Sequence, residues 1–218
     1  MAEWLAYQML ALSNVPKELQ VPYHLAELVL PNDERSAGCY SEDFLQPGER
    51  LVTLQRLMNA ALVTQEDLFS SYGVEGRIRS TLEFIKENTG LSWLEEYFSI
   101  LLAFDAFILN EDRHFNNIAF IQTADGGWRH CPLFDHGLSF LSDTNDYPLR
   151  YSVKSNVMSV NAKPFSNDFL QQARVLKDVY PLKFDADGIF LLLEENREQL
   201  GRVYDVVKLQ IERYPWLF

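Results

Sequence analysis

A chain of 218 residues with 47% hydrophobic composition is long enough for one sizeable core, or for a large unit beside a small one. Its formal net charge of −12 repels nucleic-acid phosphate and anionic membrane surfaces, so neither is expected as a direct partner. No apolar run reaches the roughly 18 residues of a membrane helix, the first residues carry Glu3 and no basic residue, unlike a signal peptide, and two cysteines, Cys39 and Cys131, make no disulfide framework, so a cytoplasmic setting is expected.

In chain order, Glu3 to Leu12 predicts a short helix, stopped by Ser13-Asn14 and Pro16. Residues 21–30 predict a strand, 31–35 a turn, and 36–40 a returning strand whose exposed face should be an unpaired edge or an apolar patch. Helical text dominates from Thr53. Leu54, Leu57, Met58 and Ala61 have helical spacing, as do Ile78, Leu82 and Ile85, with Gly90 as a stop. Ser92 and Glu95 have the capping-box spacing at the start of the next helix. Leu94, Phe98, Leu101, Leu102, Asp105 and Leu109 then share one face. Asp105 is the odd member of that stripe. It either reaches water at the stripe's edge or is a buried carboxylate bonded to the loop that follows.

After a loop over 111–116, the runs 117–123 and 128–134 flank Ala124-Asp125-Gly126-Gly127, a hairpin signal. With Asp125-Gly126 as the central turn residues, Asn117 lies opposite Phe134, one residue from Asp135. That places the Asn117 and Asp135 side chains on the order of 5 Å apart. Farther on, Ser166 is expected to cap a helix, and 189–214 to form one long or broken helix ended by Pro215.

The chemistry is carried by Asn110-Glu111-Asp112-Arg113-His114-Phe115-Asn116-Asn117 and by Asp135 across the hairpin. Phosphoryl transfer from ATP needs a carboxylate to orient and deprotonate the attacking hydroxyl, and oxygen ligands for Mg²⁺. Asp112 suits the base, while Asn117 and Asp135 suit the metal. Arg113 would offset buried negative charge, and His114 would brace the loop by hydrogen bonding. Each residue alone reads as an ordinary loop residue; the ordered set reads as a site. His114, His130, Cys131 and His136 crowd the same region, but their spacing fits no usual structural zinc pattern, and His130 and Cys131 point to opposite faces of a strand.

Asp112-Arg113-His114-x-x-Asn117, followed by Leu133-Phe134-Asp135-His136-Gly137, resembles the catalytic and metal-binding motifs of HipA-like protein kinases. More distantly it is similar to the core of phosphatidylinositol 3/4-kinases, although the acidic balance counts against a lipid substrate. The resemblance implies an α+β, protein-kinase-like fold. Residues 1–45 would be a partial N-lobe (helix, two strands, hinge) and 46–218 a mainly helical catalytic C-lobe. It implies Mg and ATP as cofactors and a serine or threonine hydroxyl of a protein as acceptor. Met1 to Leu12 resembles the helix after the ATP-binding lysine strand, with Glu3 as its glutamate. Val21-Pro22-Tyr23 and the 39–44 stretch resemble the strand and hinge around adenine, which makes Glu42, Asp43 and Phe44 nucleotide-binding candidates. Lys163-Pro164-Phe165 resembles a Lys-Pro-Phe found after the metal motif in many such chains.

One departure matters. Such kinases carry a glycine-rich loop and a lysine strand upstream of that helix, and no Gly-x-Gly occurs in these 218 residues. Either a small glycine-loop subunit supplies it as a partner, or the chain is a truncated or degenerate member. The family's association with toxin–antitoxin systems adds an antitoxin. The alternative is a catalytically deficient kinase-like module that binds or regulates.

Overall fold

The computed structural model describes residues 1–31, 33–70 and 73–218. Helix α1 (Ala2–Ala11) buries Leu5, Ala6, Met9 and Leu10. The chain behind it is tied to a distant segment: Asn14 N donates to Lys183 O (3.0 Å), and Asn14 Oδ1 accepts from Lys183 N (2.9 Å). Strands β1 (Tyr23–Val29) and β2 (Arg35–Ser41) pair antiparallel, from Tyr23↔Ser41 to Val29↔Arg35. The turn expected between them includes Asn32, which lies outside the described residues. The pair forms a two-stranded sheet, and Leu28, Val29 and Tyr40 stand exposed on it.

A second sheet contains a strand that the sequence reading passed over. β3 (Arg50–Thr53) runs straight into α2 (Leu54–Ala61), with Thr53 as the cap. Four residues ahead of a strong helical pattern give no readable alternation. β3 pairs with β4 (Ala119–Gln122), which pairs with β5 (Trp128–His130). The hairpin differs from expectation by one residue. Phe120 faces His130 and Gln122 faces Trp128, and Thr123 N donates to Gly127 O (3.0 Å). The turn is therefore Ala124-Asp125-Gly126, with Gly126 at φ 87°, a conformation open to glycine. Asp125 Oδ1 accepts from Thr123 Oγ1 (2.5 Å) and Gly127 N (3.3 Å), bonds that favour the three-residue turn over a two-residue one. The ladder ends at Phe120, so strand pairing does not bring Asn117 to Asp135.

Helices fill the rest. α3 (Gln65–Phe69) opens on a capping box of Thr64 and Asp67, and α4 (Val74–Thr89) ends at Gly90 in the left-handed region, as its glycine predicts. The capping box expected at Ser92 and Glu95 does not form. α5 (Leu94–Ile108) starts after Trp93 (φ 60°) with no side-chain cap. Trp93 packs edge-on against His130 and Tyr180, so aromatic packing sets the entry to the helix. Nor is α5 one-sided: every residue from Tyr97 to Ile108 is buried, which makes it the central rod of the core.

α6 (Val153–Ser159) and α7 (Phe169–Leu176) follow. Asp168, not Ser166, caps α7; the Ser166 hydroxyl instead accepts from Asp168 N (3.1 Å). The last stretch is broken rather than continuous. α8 (Ala186–Glu195), α9 (Arg197–Leu200) and α10 (Arg202–Arg213) are separated at Asn196 and Gly201, and Pro215 opens a final 3₁₀ turn. The result is a mixed α/β fold of small sheets and many helices.

Candidate active site

The site is assembled on one buried ion pair. Asp105, near the end of α5, receives Arg113 in a bidentate contact: Nε to Oδ2 at 2.8 Å and Nη2 to Oδ1 at 3.0 Å, with the two side chains 4% and 1% exposed. Asp105 is thus the buried carboxylate that bonds the following loop, and Asn110 Nδ2 adds a third bond at 2.9 Å. Arg113 has more to give. Nη1 donates to Asn117 O (2.5 Å) and Phe134 O (3.0 Å), and Nη2 faces His136 Nδ1 at 3.3 Å. A guanidinium carries five N–H groups; four donate to oxygens of Asp105, Asn117 and Phe134, and the fifth faces the His136 ring. Burial works against its charge, but the Asp105 charge and hydrogen bonds more than offset that, so its pKa is raised.

This hub does what strand pairing does not. Through one side chain it fixes the carbonyls of Asn117 and Phe134, the residues that set Asn117 and Asp135. Asn110 extends it: its Oδ1 accepts from Asp112 N (3.2 Å), and its Nδ2 reaches Asp135 O (3.4 Å). Asn117 Nδ2 donates to Asp112 O (3.0 Å), which leaves its Oδ1 to accept. Asp135 sits at φ 59°, a strained backbone that asparagine and aspartate tolerate better than most. The Asp112 side chain, 30% exposed, meets Lys163 Nζ at 3.5 Å and His114 Nε2 at 3.8 Å.

Arg113 offsets buried negative charge, that of Asp105, and its donors point into the protein interior. His114 does not brace the loop by hydrogen bonding: its Nδ1 has no partner among the described residues, and its Nε2 is too far from Asp112 for a hydrogen bond.

On the opposite side, Glu3 Oε1 accepts from His136 N at 2.8 Å, and its Oε2 is buried with no partner among the described residues. Burial and the nearby Asp135 charge push its carboxyl upward against the pull of the His136 backbone bond and Arg113. Burial holds the His136 imidazole well below its ordinary range, and the neighbouring Arg113 charge adds to this, so it is neutral. Tyr23 also reaches this corner, its hydroxyl facing the Asp135 backbone; burial, and then the Glu3 charge, raise its pKa.

Of the three hinge candidates, Phe44 alone lies against the site's elements. Its ring is 6.4 Å from that of Phe134, within a small apolar cluster of Ala119, Ile121, Cys131, Leu45 and Leu51. Arg129 fixes this segment, donating to Phe44 O (3.2 Å) and, bidentately, to Glu49 (2.8 and 2.6 Å). Those bonds hold the Glu49 carboxyl down at about 2. Glu42 and Asp43 are exposed, and Asp43 turns back to accept from Leu45 N (2.9 Å), so neither side chain is drawn toward Asp135.

The same cluster yields a chemical test. Burial pushes the Cys131 thiol up to about 12, whereas Cys39 is partly exposed beside Tyr23. The thiolate is the reactive form. Iodoacetamide at pH 8 should therefore label Cys39 in the native protein and reach Cys131 only after unfolding, as read by peptide mass spectrometry.

Lys163 is a site residue that the sequence offered only as part of a motif, and Asn110, Tyr23 and Asp105 join it on geometry. Among the described residues, no group of three His, Cys, Asp or Glu side chains converges as a metal cage.

No family model matches the chain, and no curated protein matches it. The fold is similar to that in the crystal structure of a Helicobacter pylori proinflammatory kinase, CtkA, with a TM-score of 0.51 and 16% sequence identity over 97% of this chain and 82% of that one. At such identity the likeness shows the fold, which is kinase-like.

Proposed function

We propose that this chain is the catalytic part of a HipA-like kinase that transfers the γ-phosphate of ATP to a serine or threonine hydroxyl of a protein. The observation that carries the reading is the Arg113 hub, which gathers the Asp112 loop, Asn117 and the Phe134-Asp135 segment on one buried cation. The guanidinium holds the carbonyl of one candidate metal ligand, Asn117, and that of Phe134, the neighbour of the other. In this reading Asp112 accepts the proton of the attacking hydroxyl, and Asn117 Oδ1 and Asp135 hold the metal. Bound Mg²⁺ supplies charge neutralisation on the phosphates. Phe44, Leu45, Leu51 and Phe134 offer an apolar floor for adenine. Residues 1–45 would serve as a partial N-lobe over the helical C-lobe of 46–218. The test is Mg²⁺-dependent transfer of γ-phosphate to protein acceptors; transfer without divalent metal, or none from any preparation that binds nucleotide, would sink it.

The second reading is a binding or regulatory module. What favours it is the absence of Gly-x-Gly from these 218 residues. Contacts from a glycine loop and its lysine to phosphate are charge-assisted, about 1.5–3 kcal/mol each. Without two of them, Mg-ATP should bind the 218-residue chain roughly a hundredfold more weakly than it binds a complete kinase. We propose that a separate glycine-loop subunit or further strands restore this contact on the open β1–β2 sheet, where Leu28, Val29 and Tyr40 are exposed; an antitoxin is a second candidate partner. Calorimetry with Mg-ATP checks the affinity, and micromolar binding by these residues alone would overturn the two-part arrangement. Among the described residues, no helix is long and apolar enough to cross a membrane.

A further inference from the structure

We infer that Lys163 is the residue that grips the γ-phosphoryl group during transfer, presented to the site by a loop built for that purpose. The inference rests on the kinase reading and goes beyond it in assigning a phosphate contact from within this chain.

Charge comes first. Asp135 lies near Glu3, and Asp112 follows Glu111 in the loop, so a triphosphate brought to these residues meets like charge. Arg113 gives no relief at the phosphate, because its donors are used up in the interior. Among the described residues, Lys163 is the one lysine or arginine whose head forms an ion pair with Asp112, at 3.5 Å. Its side chain is 51% exposed and the Asp112 side chain 30%, so the contact faces the solvent side of the site. Such an exposed pair is worth little by itself and separates easily.

The backbone beneath that head is held in a different way. Gln172 is 2% exposed, and its amide makes three hydrogen bonds: Oε1 accepts from Phe165 N (2.8 Å) and Ser166 N (3.2 Å), and Nε2 donates to Lys163 O (3.2 Å). Arg77 Nη1 donates to Phe165 O (3.0 Å). Phe165 is fully buried among the rings of Phe69, Phe98 and Phe115, and Phe115 lies two residues beyond Arg113. A buried amide that reads the backbone on both sides of Pro164 is costly unless every bond is satisfied. Here three bonds fix where Lys163 leaves the loop. A fixed stem with a mobile ammonium head suits a group that must move a few ångströms from Asp112 to a phosphate oxygen.

In the transfer, the substrate hydroxyl oxygen forms a bond to the γ-phosphorus. The bond to the β,γ-bridging oxygen breaks, and its electron pair leaves on ADP. The hydroxyl proton passes to Asp112. Lys163 neutralises negative charge on the transferring group and, by leaving Asp112, frees that carboxylate to accept the proton.

The test uses the whole chain with millimolar nucleotide. Lysine acetylation is followed by peptide mass spectrometry without nucleotide, with Mg-ADP, and with Mg and the β,γ-imido analogue of ATP. Lys163 should be protected several-fold by the imido analogue and not by ADP, which lacks the γ-phosphate. Lys163→Met should lower phosphoryl transfer about a hundredfold with Mg-ADP affinity and the urea midpoint unchanged, and Lys163→Arg should recover part of the rate. Equal acetylation with and without the analogue, in protein whose nucleotide binding Asn117→Ala still weakens, overturns the Lys163 assignment and leaves the kinase reading standing. If nucleotide binds but no preparation transfers phosphate and Asn117→Ala changes nothing, both fall.

Discussion

Asp112→Asn should lower phosphoryl transfer by about 10²–10⁴-fold, the range a positioned general base contributes, without unfolding the protein. The substitution keeps the shape of the side chain and removes the proton acceptor. The loop does not depend on the carboxylate. Its Asp112 N is held by Asn110 Oδ1, and its Asp112 O by Asn117 Nδ2, and both are backbone contacts that the variant retains. What is lost is the exposed contact with Lys163, worth about 0–1 kcal/mol at most. Asn117→Ala and Asp135→Ala should act differently, raising the Mg²⁺ and ATP concentrations needed for half-maximal rate. The measurement is initial rate against Mg-ATP for each variant, with the urea midpoint as a control. A wild-type rate from Asp112→Asn would remove the base from the mechanism.

The parts of the site that lie along the chain were legible, and the parts that lie across it were not. Asp112, Arg113 and Asn117 fall within one loop, and a motif states their spacing directly. The helix ends marked by Gly90 and Pro215 were legible for the same local reason. The hairpin was visible, but its register was not: Asp125 bonding Thr123 and Gly127 favours a three-residue turn, and one residue of slip redirects the pairing. The capping box at Ser92 failed because Trp93 packing on His130 and Tyr180 overrode a local preference. Asp105 showed the limit most clearly. Its position in an apolar stripe allowed two readings, and the residue that decides between them, Arg113, lies eight positions on, across a loop. Lys163 lies 51 positions from Asp112, a separation at which periodicity carries no information.

Arg113→Met should cost about 3–5 kcal/mol of stability, the penalty for leaving one partner of a buried pair uncompensated. Among the described residues, Asp105 would keep only Asn110 as a side-chain partner for a carboxylate that is nearly inaccessible to water. At this chain length each kcal/mol moves the melting temperature by about 2–4 °C, so a fall on the order of 10 °C is expected by thermal scan. Arg113→Lys separates charge from geometry. It keeps a cation for Asp105, but an ammonium has three donors on a flexible stem and cannot serve the two Asp105 oxygens, the carbonyls of Asn117 and Phe134, and His136 Nδ1 together. Stability should partly return and transfer should not. The double variant Asp105→Leu/Arg113→Met makes the same point from the other side. Removing both charges removes the uncompensated carboxylate, and such replacements are often close to neutral in stability. Two carbonyls remain without their donor, each costing roughly 1–3 kcal/mol if it stays buried. They relax by moving, and the residues that move are Asn117 and the neighbour of Asp135. The double variant should therefore be more stable than Arg113→Met and still fail to transfer phosphate. Full activity in the double variant would show that the hub supports the fold and does not position the site.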